Sequence, residues 1–282
     1  MRLHERLSLA RAGLVEAGLT TADAAIDVDF LARTILGWDR ARMITEQATE
    51  VPPGLEPRLS EWLERRARRE PSAYIAGFRE FWGLEMTVTA AVLIPRPETE
   101  FIVEEALPLL KAMAAPRIAD IGTGSGCLAV SLAHEVAPAH VVATDISEVA
   151  LAVARLNAAK HGVADRVACV RTSYLDGIDG PFDLVVANPP YVKTGDKPAL
   201  ARDVLHEPDL ALFGGADGLR DVGGVLGAAE RVLVPGGWLL MEFGYGQEEG
   251  VRQLVGMHPA LSLVRIREDL QGIARTAIMR RI

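Results

Sequence analysis

The sequence is poor in cysteine, in long apolar runs and in positive charge. Its two cysteines, Cys127 and Cys169, stand far apart, with no CxxC pair. That pattern argues against a disulfide scaffold and a thiolate metal site, and both cysteines read as small packing residues. No apolar stretch reaches the length of a membrane span, and the opening MRLHERLSLARAGL lacks a secretory apolar core. A cytoplasmic protein with no membrane partner is the expectation. Thirty Lys and Arg against 38 Asp and Glu leave a net charge of −8, which is unsuited to a nonspecific hold on DNA or RNA. The one basic run, ERRARRE at 64–70, reads at helical spacing as a solvated face with internal ion pairs.

What is present is an ordinary globular mixture, 49% hydrophobic and 24% charged over 282 residues. This is enough for a large core and a smaller module. Leu3, Leu7, Leu14 and Val15 recur at helical spacing, as do Ile26, Phe30, Leu31 and Ile35, with Thr21 as N-cap and Gly37 as stop. After VPPG, Leu55, Leu59, Trp62 and Leu63 mark a further helix that ends before Pro71. Residues 1–76 therefore read as an all-helical module for recognition or support. Residues 77–97 read as a hairpin or extended bridge, and a helix from about Glu98 to Ala112 follows. From Arg117 strands and helices alternate, so residues 98–282 read as an α/β domain with a mostly parallel sheet.

The run RIADIGTGSGCLAVSLA carries Gly122, Thr123, Gly124, Ser125 and Gly126 from a strand into a helix. Glycines serve where backbone must turn tightly and approach a ligand. The spacing is GxGxG, and Cys127 stands where a dinucleotide loop would carry its third glycine, which weakens an NAD reading. Alone, such a loop is also compatible with a plain strand–helix turn. The next strand, HVVATDIS, ends at Asp145, where a carboxylate would meet the two hydroxyls of a ribose. The alternative for Asp145 is a helix N-cap, which Ser147 can supply as well. Loop and carboxylate together predict a nucleoside site. Tyr174, after the third strand, either covers an adenine ring or is a half-exposed loop residue. Asp120 either orients the glycine loop or faces a ligand's ammonium group.

The fourth strand, FDLVVA, runs into Asn188-Pro189-Pro190-Tyr191. Ligands of open α/β sheets bind at the carboxyl ends of strands, so this corner faces the same crevice. Prolines offer carbonyl acceptors without competing N–H donors. Asn188 adds a side-chain oxygen, and Tyr191 a flat face with a polar tip. Acceptors beside a flat face suit a planar –NH2 guest, held by the Asn188 side chain and the Pro189 carbonyl. Beside a nucleoside-bearing cofactor, the natural electrophile is the methyl of S-adenosylmethionine, and no metal or strong base is required.

With those residues in place, the chain resembles the glutamine-N5 methyltransferases of peptide chain release factors, the PrmC/HemK family. The likeness runs from PSAYIAGFREFWGLEMTVTAAVLIPRPETE through DIGTGSG, ATDIS and NPPYV to HEPDLALFGGADGL and LVPGGWLLMEFGYGQ. It implies a Rossmann-like class I methyltransferase domain, with a seven-stranded sheet and helices on both faces, behind a small helical domain that helps seat the release factor. By matching motifs, Gly122 to Gly126, Asp145, Tyr174 and Asn188 would bind the cofactor. Asn188, Pro189, Pro190 and Tyr191 would hold the glutamine of a Gly-Gly-Gln tip, with Asn188, Pro189 and Tyr191 serving transfer. The family commonly has Asp-Trp where this chain has Ser173-Tyr174. Glu207, in the HEPD block, reads equally as a substrate contact and as a structural ion pair.

Rival readings are a glutamine methyltransferase of a ribosomal protein and a DNA or RNA amino methyltransferase. The latter needs a basic cleft and a way to extrude a base, and the acidic balance counts against it. A binding module on a decayed fold is disfavoured by the intact glycines, Asp145 and Asn188. A monomer is the default for so bulky a substrate.

Overall fold

The computed structural model describes residues 1–111 and 113–282; the expected helix end at Ala112 lies outside them. Contacts divide the chain into two units. One is Met1–Gly77 with Ala201–His206, the other Phe78–Leu200 with Glu207–Ile282.

The first unit is helical. Helices Leu3–Glu16, Thr21–Leu36 and Arg58–Ala67 bury Leu3, Leu7, Leu14, Val28, Leu31, Leu59 and Trp62 in a common core. Two details differ from the sequence expectation. The cap of the second helix is Thr20, whose hydroxyl accepts from Asp23 N at 3.0 Å, and Ile26 is 67% exposed because the buried stripe is Ala24, Val28, Leu31 and Ala32. Gly37 does end that helix, at φ 63°. The basic run is not wholly solvated. Arg65 pairs with Glu70 at 2.6 Å, but Arg66 is buried and donates to Asp27 at 2.6 Å and Asp203 at 2.5 Å.

The second unit begins with an antiparallel hairpin, β1 (Phe78–Phe81) and β2 (Leu84–Thr87). Its main sheet contains β3 (Arg117–Ile121), β4 (His140–Asp145), β5 (Val167–Arg171), β6 (Phe182–Ala187), β7 (Leu233–Glu242), β8 (Leu261–Glu268) and β9 (Ala274–Arg281). The order is β5-β4-β3-β6-β7-β9-β8; β9 runs antiparallel to both its neighbours and the other pairs are parallel.

Alternate residues of one strand feed opposite faces. Ile118, Val141 and Leu184 join a core with helices Glu100–Leu110, Cys127–Glu135 and Glu148–Lys160. Ala119, Val185 and Leu239 join another with helices Arg220–Val232 and Glu248–Gly256. Strands covered on both faces are continuous apolar runs, as parallel sheets require. This is the Rossmann-like architecture the sequence predicts. The strand order reverses between β3 and β6, and a crevice opens at their carboxyl ends.

Candidate active site

The cavity at this switch point is lined by the glycine loop, Asp145, Tyr174 and the Asn188-Pro189-Pro190 corner. Gly122 and Gly124 sit in left-handed backbone, at φ 70° and 54°, which frees the turn from β-carbon strain. Gly126 shares the left-handed conformation, at φ 82°, but is not in the cavity wall. A Cβ there would stand 3.1 Å from Ala154 Cα, so its bareness lets two helices approach. Asn157 ties this loop to the hairpin, donating to Ser125 O at 2.8 Å and Thr87 O at 3.0 Å.

Asp145 accepts from Gly124 N at 3.0 Å and Ser147 N at 2.9 Å. Burial nevertheless holds its carboxyl above the usual range. The helix cap is Ser147, whose hydroxyl accepts from Ala150 N at 3.3 Å, so Asp145 is left to the loop and the cavity. Asp120 divides its two oxygens. Oδ2 accepts from Thr123 Oγ1 at 2.6 Å and Ala129 N at 3.2 Å, while Oδ1 is buried without a partner. Burial pushes this carboxyl up to about 7.

Tyr174 takes φ 48° and lies against the helix at Gly224, where a Cβ would overlap its ring. Its hydroxyl donates to Asp221 at 2.9 Å, and burial pushes it up to about 12. Cys127 also reaches the cavity wall, but burial pushes its thiol up to about 12, which disfavours the thiolate.

At the corner, Asn188 Nδ2 donates to Thr99 Oγ1 at 2.9 Å, and Asn188 Oδ1 is buried with no partner. Pro189 and Pro190 share the wall, whereas Tyr191 does not. The Tyr191 hydroxyl turns away to donate to Glu242 Oε1 at 3.0 Å, and its carbonyl accepts from Gln247 Nε2 at 2.9 Å. Sequence reasoning missed Thr99, Glu242 and Gln247. It also missed why the GG-DGL block is glycine-rich. Cβ atoms on Gly214 and Gly218 would overlap the Pro190 and Tyr191 carbonyl oxygens. Glu207 is an internal ion-pair partner: buried, it accepts from Ile94 N at 3.0 Å and Arg96 at 2.5 Å, fixing the IPRP bridge beside the cavity.

Comparisons with known proteins agree with this layout. The family description "Methyltransferase small domain" matches residues 100–216, and "PrmC N-terminal domain" matches 5–77. A solved methyltransferase from Pyrococcus furiosus shares the fold at TM-score 0.50 and 19% identity, covering 71% of this chain and 90% of its own. The hMettl16 catalytic domain, solved with a MAT2A 3'UTR hairpin, does so at 0.58 and 17%, covering 77% and 82%. A release factor glutamine methyltransferase from Bradyrhizobium diazoefficiens is 42% identical over 267 residues, 92% of this chain and 89% of that protein. One from Bordetella pertussis is 40% identical over 271 residues, 95% and 98% of the two. Likeness of that degree, carried through both the helical unit and the sheet, makes this chain a member of the release factor glutamine methyltransferase family.

Proposed function

We propose that this chain transfers a methyl group from S-adenosylmethionine to the side-chain amide nitrogen of the Gly-Gly-Gln glutamine in class 1 peptide chain release factors, with S-adenosylhomocysteine as the other product. One observation carries the reading. Asn188 presents a buried carbonyl oxygen with no protein donor, at the end of β6 and beside the nucleoside half of the cavity. A buried acceptor left unpaired costs about 1–3 kcal/mol, and a carboxamide –NH2 in the cavity would relieve it. Family membership supports the release factor as the carrier of that amide.

The residues present suit S-adenosylmethionine. The unpartnered Oδ1 of Asp120 is an acceptor for an ammonium group, the Asp145 carboxylate for a diol, and the held ring of Tyr174 is a flat wall for a base. Gly122, Thr123, Gly124 and Ser125 supply the bare loop between them. When bound, S-adenosylmethionine supplies a methyl already activated on a sulfonium.

An amide nitrogen is a poor nucleophile because its lone pair is conjugated. Acceptance of its N–H groups by Asn188 Oδ1 and the Pro189 carbonyl turns the nitrogen and frees that pair. Orientation of this kind lowers a barrier by several kcal/mol, so neither a metal nor a side-chain base is assigned. The surplus proton leaves to water. Net charge −8 suits a protein substrate rather than a stable nucleic-acid partner, and among the described residues no helix is long and apolar enough to cross a membrane. We assign a cytoplasmic monomer. Peptide mapping of a treated release factor tests the reading: the added methyl is expected on the Gly-Gly-Gln glutamine side chain, and a methyl found only elsewhere would contradict it.

A further inference from the structure

We infer that Thr99 and Glu242 determine which end of the Asn188 carboxamide faces the cavity, and so whether the site presents an acceptor or a donor to its guest. The inference rests on the reading of Asn188 as the amide holder. Thr99 has one hydroxyl hydrogen and two neighbours, Glu242 Oε2 at 2.6 Å and Asn188 Nδ2 at 2.9 Å. Burial raises the Glu242 carboxyl above its ordinary range; in its ionised form it only accepts, and the Thr99 hydrogen then goes to Glu242. The Thr99 oxygen then offers a lone pair to Asn188, and only the –NH2 end of the carboxamide can pair with it. The carbonyl end is left without a protein partner, on a residue that lines the cavity.

The second oxygen of Glu242 is taken by the Tyr191 hydroxyl at 3.0 Å. Thr99 and Glu242 are 2% and 1% exposed, which keeps water from substituting for any member. Burying a carboxylate is costly, and polar groups retained at that cost can serve to fix one arrangement. Here the arrangement fixed is the polarity of Asn188. With the carboxamide reversed, its –NH2 would meet the –NH2 of the guest, donor against donor. Thr99 and Glu242 are thus positioning residues, and Tyr191 of the corner motif acts through Glu242.

The test compares Thr99→Val, which keeps the shape but cannot accept, with Thr99→Ser, which restores the hydroxyl. With release factor as substrate, Thr99→Val is expected to lower kcat by about 30-fold or more with cofactor affinity within about threefold, and Thr99→Ser to stay within about threefold of the parent in both. A second readout needs no turnover: the side-chain amide resonances of Asn188, assigned by their loss in Asn188→Asp. They are expected to shift and exchange faster with water in Thr99→Val and to return in Thr99→Ser. Unchanged resonances and kcat in Thr99→Val, or equal losses in Val and Ser, would overturn the inference. If the parent fails to methylate release factor while the resonances respond as described, the substrate assignment falls and the positioning stands.

Discussion

Gly214 lies so close to Pro190 that a Cβ on it would overlap the Pro190 carbonyl oxygen. The backbone after the Asn-Pro-Pro corner is paired with the same segment, Val192 N donating to Leu212 O at 2.9 Å and Gly214 N to Val192 O at 3.0 Å. Gly214→Ala must therefore move the corner or strain it, at about 1–3 kcal/mol for an overpacked site. Methyl transfer is expected to fall sharply while cofactor binding, measured by titration calorimetry, stays near the parent value. Full activity in Gly214→Ala would show that the corner tolerates displacement.

On the proposed reading, Asn188 and Asp145 divide the two ligands between them. Asn188→Ala removes the unpaired acceptor and is expected to abolish transfer while cofactor affinity changes only a few-fold. Asp145→Ala is expected mainly to weaken cofactor binding, by the ~1.5–3 kcal/mol of a charged hydrogen bond. Dissociation constants and single-turnover rates of the two variants check the contrast, and normal transfer by Asn188→Ala would remove the amide-holder account.

Asp120 is expected to make the empty and loaded protein respond oppositely to pH. Burial raises its carboxyl from 3.8 to about 7, so between those values the folded protein binds more protons than the unfolded chain. Stability conferred through this group then falls as pH rises across that window. The Tm of the cofactor-free protein is expected to decline more over this range than that of Asp120→Asn. A cation at Asp120 Oδ1 favours the ionised form, so cofactor affinity is expected to rise with pH through about 7 in the parent and not in the variant. Parallel pH profiles of parent and variant would exclude Asp120 as the ammonium acceptor.

Within the helical unit, Arg66→Ala would leave Asp27 buried without its 2.6 Å partner. Breaking one side of a buried pair costs about 3–5 kcal/mol. Hydrogen exchange of the helix Arg58–Ala67 is expected to quicken by the corresponding factor, and unchanged protection would mean that water replaces the guanidinium.

Much of the cavity was legible because its parts are short motifs at strand ends. The GxG turn, Asp145 and the Asn-Pro-Pro corner each announce themselves by residue types that a plain strand–helix connection does not need. What supports them was not legible, because it comes from distant chain. Thr99 and Glu242 are 143 positions apart, and Arg96 and Glu207 are 111. One signal was available in WLLMEFGYG, where Glu242 closes an otherwise apolar strand and must find partners. Tyr191 was expected to face the guest, but its hydroxyl is the donor that Glu242 takes. The exposed Ile26 shows the limit of periodicity: small Ala24 and Ala32 lie on the buried side of that helix and carry less apolar signal than one bulky surface residue.

The most direct measurement is transfer of labelled methyl from S-adenosylmethionine to a purified release factor, run beside a copy whose Gly-Gly-Gln glutamine is changed to Ala. The account predicts label on the first and none on the second. Equal label on both, or none on either while the cofactor still binds, would contradict it and leave the Asn188 corner holding some other amine.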